Sequence, residues 1–180
     1  MKVLFGIVLG FALVAAGLFF YFRMGYAPVA TAAAPMPFER QLAEAALDAR
    51  IKKEAPATAP IAGDEGNLAA GVKTYREACS MCHGLRGQPE TVIAKGMFPK
   101  PPQFLARPAK DGQVGQTFWV VKNGIRLTGM PGFGESLSDD EIWQVSLMLE
   151  QRDKLPDSLA APLSQPQEGP LEAAMRTQRK

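Results

Sequence analysis

The stretch Cys79-Ser80-Met81-Cys82-His83 decides how the rest of the chain is read. It holds both cysteines and the single histidine of 180 residues. On a helical turn, positions three apart project from one face, so the two thiols point the same way. The imidazole follows on the next position. This is the spacing with which two thiols add across the vinyl groups of a haem while the adjacent imidazole becomes an axial iron ligand. Other chemistries also use a Cys-x-x-Cys pair. A zinc site needs two further Cys or His ligands beyond the thiols, and after His83 the chain has neither. A thioredoxin-like redox pair needs a βαβ setting, and no strand-rich pattern surrounds this one. A plain structural disulfide leaves the adjacent histidine unexplained.

Outward from the motif, residues 64–78 predict a helix whose inner face is Leu68, Gly71, Val72, Tyr75 and Ala78. Gly71 inside it costs about 1 kcal/mol against Ala, which a close helix crossing would explain. Tyr75 reads as core packing. After His83 the chain turns loop-like, through Gly84, Gly87, Pro89 and then residues 96–105, a Pro-rich run suited to wrapping a cofactor. Its prolines leave carbonyls without ladder partners. One of them is placed to accept the Nδ1–H of His83 and fix its tautomer, and Pro102 is the expected residue. Residues 116–123 predict a short helix, with Phe118, Trp119 and Val121 as pocket wall. Trp119 also has an indole N–H to offer a haem propionate.

With the histidine used, a second axial ligand must be a thioether. Met81 lies inside the attachment loop and Met148 in an amphipathic helix, which leaves Met97 and Met130. Met130 is the preferred candidate, because Gly129 and Pro131-Gly132 let the backbone approach a porphyrin closely. Met97, closer to His83 in sequence, stays open. Ser138-Asp139-Asp140-Glu141 is a capping box opening a closing helix, with Ile142, Val145, Leu147, Met148 and Leu149 along it. Trp143 is expected to pack across the first helix, seated at Gly71 or Tyr75.

Residues 3–22 run for twenty positions without a charge. In a helix they span about 30 Å, the thickness of a hydrocarbon core. A cleaved signal peptide has a shorter apolar region and a nearby small-x-small site, so an uncleaved anchor over 1–23 is expected. Residues 24–63 read as an Ala/Pro-rich spacer with a helix at about 38–54 and a second Pro/Ala linker at 55–63. The domain proper is expected at 64–155. Residues 156–180, with four prolines among Ala, Gln and Ser, read as a disordered tail. The net charge of +2 is unevenly spread. Nine Lys or Arg between 73 and 126 face only Glu77, Glu90 and Asp111, yet the density is too low for a nucleic-acid patch.

Residues 64–155 resemble the class I c-type cytochromes, and more closely the membrane-anchored bacterial mono-haem type. The resemblance rests on CSMCHG at 79–84, PPQF at 101–104, NGIRLTGMPGFG at 123–134 and SDDEIWQV at 138–145. It implies an all-α cytochrome c-type fold, three to five short helices around one haem, preceded here by a single transmembrane helix and a spacer helix. It implies one haem c bound through thioethers at Cys79 and Cys82, with His83 and Met130 as axial ligands and Pro102 accepting from His83. Such families attach haem outside the cytoplasm. The expected protein is therefore an electron carrier, not an enzyme, in the inner membrane with its haem domain on the periplasmic side. Its expected partners are redox proteins with acidic docking surfaces, met by basic residues such as Lys95, Lys100 and Lys122. No nucleic acid and no small-molecule substrate are expected. Two alternatives remain: a permanent haem c subunit of a larger oxidoreductase, and a haem-based gas sensor or peroxidase-like module needing an open coordination site.

Overall fold

The structure, a computed structural model, describes residues 1–166. Among these residues every regular element is helical. The chain divides into two units, Met1–Glu44 and Ala45–Lys180.

In the first unit, helix α1 spans Lys2–Arg23. It is apolar on all sides and none of its residues is buried. At 1.5 Å per residue its length is about 33 Å. Length and composition suit either a membrane span or a signal sequence. It stops at Met24, followed by Gly25 at φ 78°, a left-handed value that glycine adopts without strain. Helix α2, Glu39–Glu54, starts with Glu39 accepting the Met36 N–H at 2.8 Å and carries an Arg40–Glu44 pair at 2.7 Å.

In the second unit the end of α2 buries Ile51 and pairs Arg50 with Glu54 at 2.8 Å. Residues 55–63 are not a free linker. Ala59 and Ile61 pack against the core. Pro56 lies directly on Gly115, where a side chain's Cβ would meet the Pro56 carbonyl. Asn67 Nδ2 donates to Ala62 O at 3.0 Å. The prolines stop the helix, as expected, but the apolar side chains between them find a surface to cover.

Helix α3, Glu65–Thr74, is capped by Asp64, which accepts the Asn67 N–H at 2.9 Å. A π turn, Tyr75–Cys79, and a single α turn, α4 (Ser80–His83), follow without a break. Then come α5 (Val92–Gly96), a 3-10 turn at Phe104–Ala106, α6 (Val114–Asn123) and α7 (Asp139–Gln151). α7 opens on the full capping box: Ser138 accepts from Glu141 N while Glu141 accepts from Ser138 N. These hydrogen bonds hold the Glu141 carboxyl below its ordinary value of 4.5.

α3 crosses α7 at Gly71. A Cβ there would lie 2.7 Å from the Gln144 carbonyl carbon and 2.8 Å from Met148 Cβ. Trp143 is not the residue seated at this crossing. It stacks on Phe118 of α6, ring centroids 3.9 Å apart at 14°. Positions 144 and 148 are one turn apart and share the face that meets α3, which turns Trp143 toward α6. The core joins Leu68, Val72 and Tyr75 with Ile142, Val145, Met148 and Leu149. Each such side chain contributes roughly 1.5–3 kcal/mol on burial.

The expected tail also departs from its reading as far as residue 166. Helix α8, Asp157–Ala160, and a 3-10 turn, Pro162–Ser164, fold back and bury Leu163 completely. Arginine side chains fasten this segment through its carbonyls. Arg76 donates to Pro162 O and, at 3.2 Å, to Gln165 O. Arg86 adds a backbone bond, its main-chain N–H donating to Leu163 O at 2.8 Å, while its guanidinium donates to Arg152 O, just before the segment, at 2.8 Å. Prolines kept the segment out of a long helix, but one leucine in the core is enough to order it. Residues 167–180 of the expected tail lie outside the described residues.

Candidate functional site

The motif sits where the π turn gives way to α4. The Ser80 N–H reaches back to Tyr75 O, one residue further than in an α-helix. Cys79 closes that turn and Cys82 lies in α4. Both are free thiols. Burial pushes Cys79 up to about 12, helped by the charge of Cys82, and burial also raises Cys82. A redox-active or nucleophilic pair has a depressed thiol pKa, so neither cysteine has the character of a thioredoxin-like centre. Among the described residues no three Cys, His, Asp or Glu side chains converge as a group that could hold a metal ion.

His83 is buried, and its ring stacks on Phe104 with centroids 4.7 Å apart. Its Nδ1 lies 2.9 Å from Pro102 O. A carbonyl only accepts, so this contact assigns the proton to Nδ1 and leaves the Nε2 lone pair free for a metal. Burial lowers the His83 pKa, and the Pro102 hydrogen bond opposes that shift only in part. The imidazole is therefore kept neutral, as a ligand must be.

A single helical turn cannot satisfy its own last carbonyls. Ser80 O takes the turn's own bond from Gly84 N at 2.9 Å, and the carbonyls after it find side-chain donors: Met81 O accepts from Thr91 Oγ1 at 2.6 Å. Cys82 O accepts from Gln103 Nε2 at 3.1 Å. The Tyr75 hydroxyl is shared between Gly84 O at 2.9 Å and His83 O at 3.2 Å. Tyr75 is fully buried, and burial together with the Cys79 charge raises its pKa, so it remains a donor. Sequence reading gave Tyr75 to packing alone and had no role for Thr91 or Gln103. The Thr91 cap of α5 and the position of Gln103 right after Pro102 were the available signals.

Met130 stands in a loop folded back on the end of α6. Phe133 N donates to Val121 O at 2.9 Å and Gly134 N to Lys122 O at 3.0 Å, satisfying carbonyls of the last turn. Ile125 N donates to Met130 O at 3.1 Å, and Met130 N to Thr128 Oγ1 at 3.1 Å. Gly124, at φ 68°, packs so tightly on the returning chain that a Cβ would lie 2.6 Å from the Pro131 carbonyl carbon. Met130 is half-buried against the core. Met97 comes to the same loop: its methyl would meet a Cβ on Gly129, with Sδ 3.5 Å away. Closeness in sequence to His83 therefore does not keep Met97 away from Met130.

Trp119 is placed otherwise than expected. Its indole N–H donates to Glu54 Oε2 at 3.2 Å, so the docked end of α2 takes the donor assigned to a propionate. Among the basic residues, Lys122 is paired with Asp139 at 2.7 Å and Lys100 with Glu90 at 3.7 Å. Lys95 is exposed.

Compared with known proteins, residues 66–147 match the family described as cytochrome C oxidase, cbb3-type, subunit III. The chain carries a c-type cytochrome domain. No curated protein matches the chain. Among solved structures, it is similar to a chain of the reducing HAO-like protein complex of Kuenenia stuttgartiensis, at 27% identity and a TM-score of 0.45. That likeness covers 59% of this chain and 49% of the other, so the chain spans about half the length of that neighbour. A cytochrome c domain implies haem c, and the residues present fit it. Two unpaired thiols lie three apart on one turn, and a neutral buried imidazole has its Nδ1 already engaged. The domain implies an electron carrier working with redox partners rather than a catalyst.

Proposed function

We propose that the protein is a membrane-tethered electron carrier of a respiratory or related redox chain. It holds one haem c through thioethers at Cys79 and Cys82, with His83 and Met130 as axial ligands. The observation that carries this reading is the buried His83 ring, held at Nδ1 by Pro102 O at 2.9 Å beside the two thiols. When bound, the haem supplies one-electron exchange between Fe(II) and Fe(III). The chain's residues set the conditions. Pro102 orients the imidazole, and the hydrogen bond raises its basicity. A thioether opposite a histidine raises the potential. If His83 and Met130 both held the iron, no position would remain open to a substrate or gas, which disfavours the sensor or peroxidase alternative.

The apolar helix Lys2–Arg23 supports insertion in the inner membrane, and the cytochrome c domain is consistent with a periplasmic location. Large apolar side chains exposed on the cytochrome domain are Met81, Val92, Phe98 and Leu127. Hydrogen bonding links the first two, since Thr91 beside Val92 bonds Met81 O, and the Met97–Gly129 contact links the other two loops. With Lys95 and Arg126 exposed nearby in sequence, this band suits a partner with an apolar contact patch and an acidic rim. Lys100 and Lys122 are less available, being paired.

The ligand assignment is tested with Met130→Ala and Met97→Ala in parallel. Met130→Ala is expected to abolish the methionine–iron signature of the optical spectrum and to admit carbon monoxide at neutral pH. Met97→Ala is expected to leave both unchanged, and the reverse result would move the ligand to Met97. A second reading, a permanent haem c subunit of a larger oxidase, is favoured by the matched family's description as an oxidase subunit. Detergent extraction separates the two: a free carrier purifies alone, a subunit brings its complex.

A further inference from the structure

Among the described residues, Gln103 is the one side chain whose hydrogen bonds join the two segments between which His83 is held. Its Nε2 donates to Cys82 O on the attachment turn at 3.1 Å and to Pro101 O on the proline run at 3.1 Å. Pro101 and Cys82 each adjoin a partner in the His83 Nδ1–Pro102 O contact. Two amide protons on one nitrogen, each aimed at a different segment, fix the separation of those segments. Gly84 makes room for this bridge. It sits at φ 73°, and a Cβ on it would meet Gln103 Oε1, with Cδ 3.5 Å away. Thr91 offers a contrast, because its hydroxyl also caps a carbonyl of the turn, Met81 O at 2.6 Å, without touching the proline run.

We propose that Gln103 is the positioning residue for the axial imidazole: by bridging Cys82 O and Pro101 O it holds the Pro102 carbonyl on His83 Nδ1. This rests on the reading of His83 as the haem ligand. Hydrogen bonding at Nδ1 makes the imidazole a stronger donor and favours ferric iron. Loosening it raises the midpoint potential. A glutamine that merely filled space would leave the potential unchanged.

The test uses the full-length holoprotein carrying Gln103→Met, which keeps length and removes both donors, beside Thr91→Val. Gln103→Met is expected to retain covalent haem, to raise the midpoint potential, and to speed solvent exchange of the His83 Nδ1 proton about tenfold, the factor that one weakened hydrogen bond carries. Thr91→Val is expected to lose stability without moving either quantity. An unchanged potential and exchange rate in haem-loaded Gln103→Met overturns the proposal, and so does an equal shift in Thr91→Val. If Gln103→Met fails to fold, the wild-type side-chain amide protons decide. Slow exchange at Gln103 supports the bridge, and exchange as fast as in a free amide overturns it. Absence of covalent haem from the wild type would instead defeat the underlying reading, which separates the two failures.

Discussion

The attachment turn and the methionine loop are fastened in different ways. Around residues 80–84 the carbonyls of Met81, Cys82, His83 and Gly84 are taken by side chains from three separate places, Thr91, Gln103 and Tyr75. Around residues 124–134 the loop is held mainly by its own backbone, returning on α6 through Phe133 and Gly134 and closed between Ile125 and Met130. The first arrangement ties the histidine side to α3 and to the proline run. The second depends on two chain segments approaching more closely than any side chain allows. A fixed histidine is therefore built from many modest contacts, any one of which can be lost singly. The methionine is placed by a single close approach that fails all at once.

Substitution at that close approach has the largest expected effect. Gly124→Val adds left-handed strain and a clash with Pro131, together about 3 kcal/mol. It should erase the methionine–iron signature while covalent haem persists on a denaturing gel, showing that the two sides fail separately. Loss of haem along with the signature would break the contrast. Tyr75→Phe comes next. It strands the buried His83 and Gly84 carbonyls at a cost of about 2 kcal/mol. Urea unfolding of the holoprotein should show that loss with the methionine signature intact. Ser138→Ala touches neither region and removes a helix cap worth about 1 kcal/mol. The Glu141 carboxyl, lowered by its Ser138 hydrogen bonds, contributes stability that is present above pH 4.5 and fades as pH falls through the lower folded value. In Ser138→Ala that acid sensitivity should shrink, read as a smaller stability difference between pH 6 and about pH 4.

Much of this was legible in residue order because the information is local. Cys79, Cys82 and His83 announce themselves by spacing, and Ser138 with Glu141 by the reciprocal cap. Pro102 was expected as the acceptor, and its carbonyl lies at His83. What escaped is what only tertiary partners decide. Trp119 has an indole N–H whatever it meets, and nothing in 116–123 says that Glu54 will take it. Residues 55–63 and 156–166 look like spacers because prolines exclude helices. That exclusion says nothing about whether Ile61 or Leu163 finds a core. The glycines and proline around Met130 favour it and closeness to His83 counts against Met97, yet Met97 reaches Gly129 beside Met130.

The fold-back of residues 157–164 also sets the order in which the domain can be completed. Arg76, three positions before the first cysteine, bonds carbonyls that lie 86 and 89 residues further along. Contacts of such separation form late, because the intervening chain must first be brought together. During synthesis the motif is thus exposed well before its last supporting segment exists. A chain that stopped just after α7 would leave Arg76 without those acceptors and the core without Leu163. An expression boundary drawn at the end of α7 would therefore remove a buried leucine and the acceptors of Arg76, leaving a less stable domain than one drawn after Gln165.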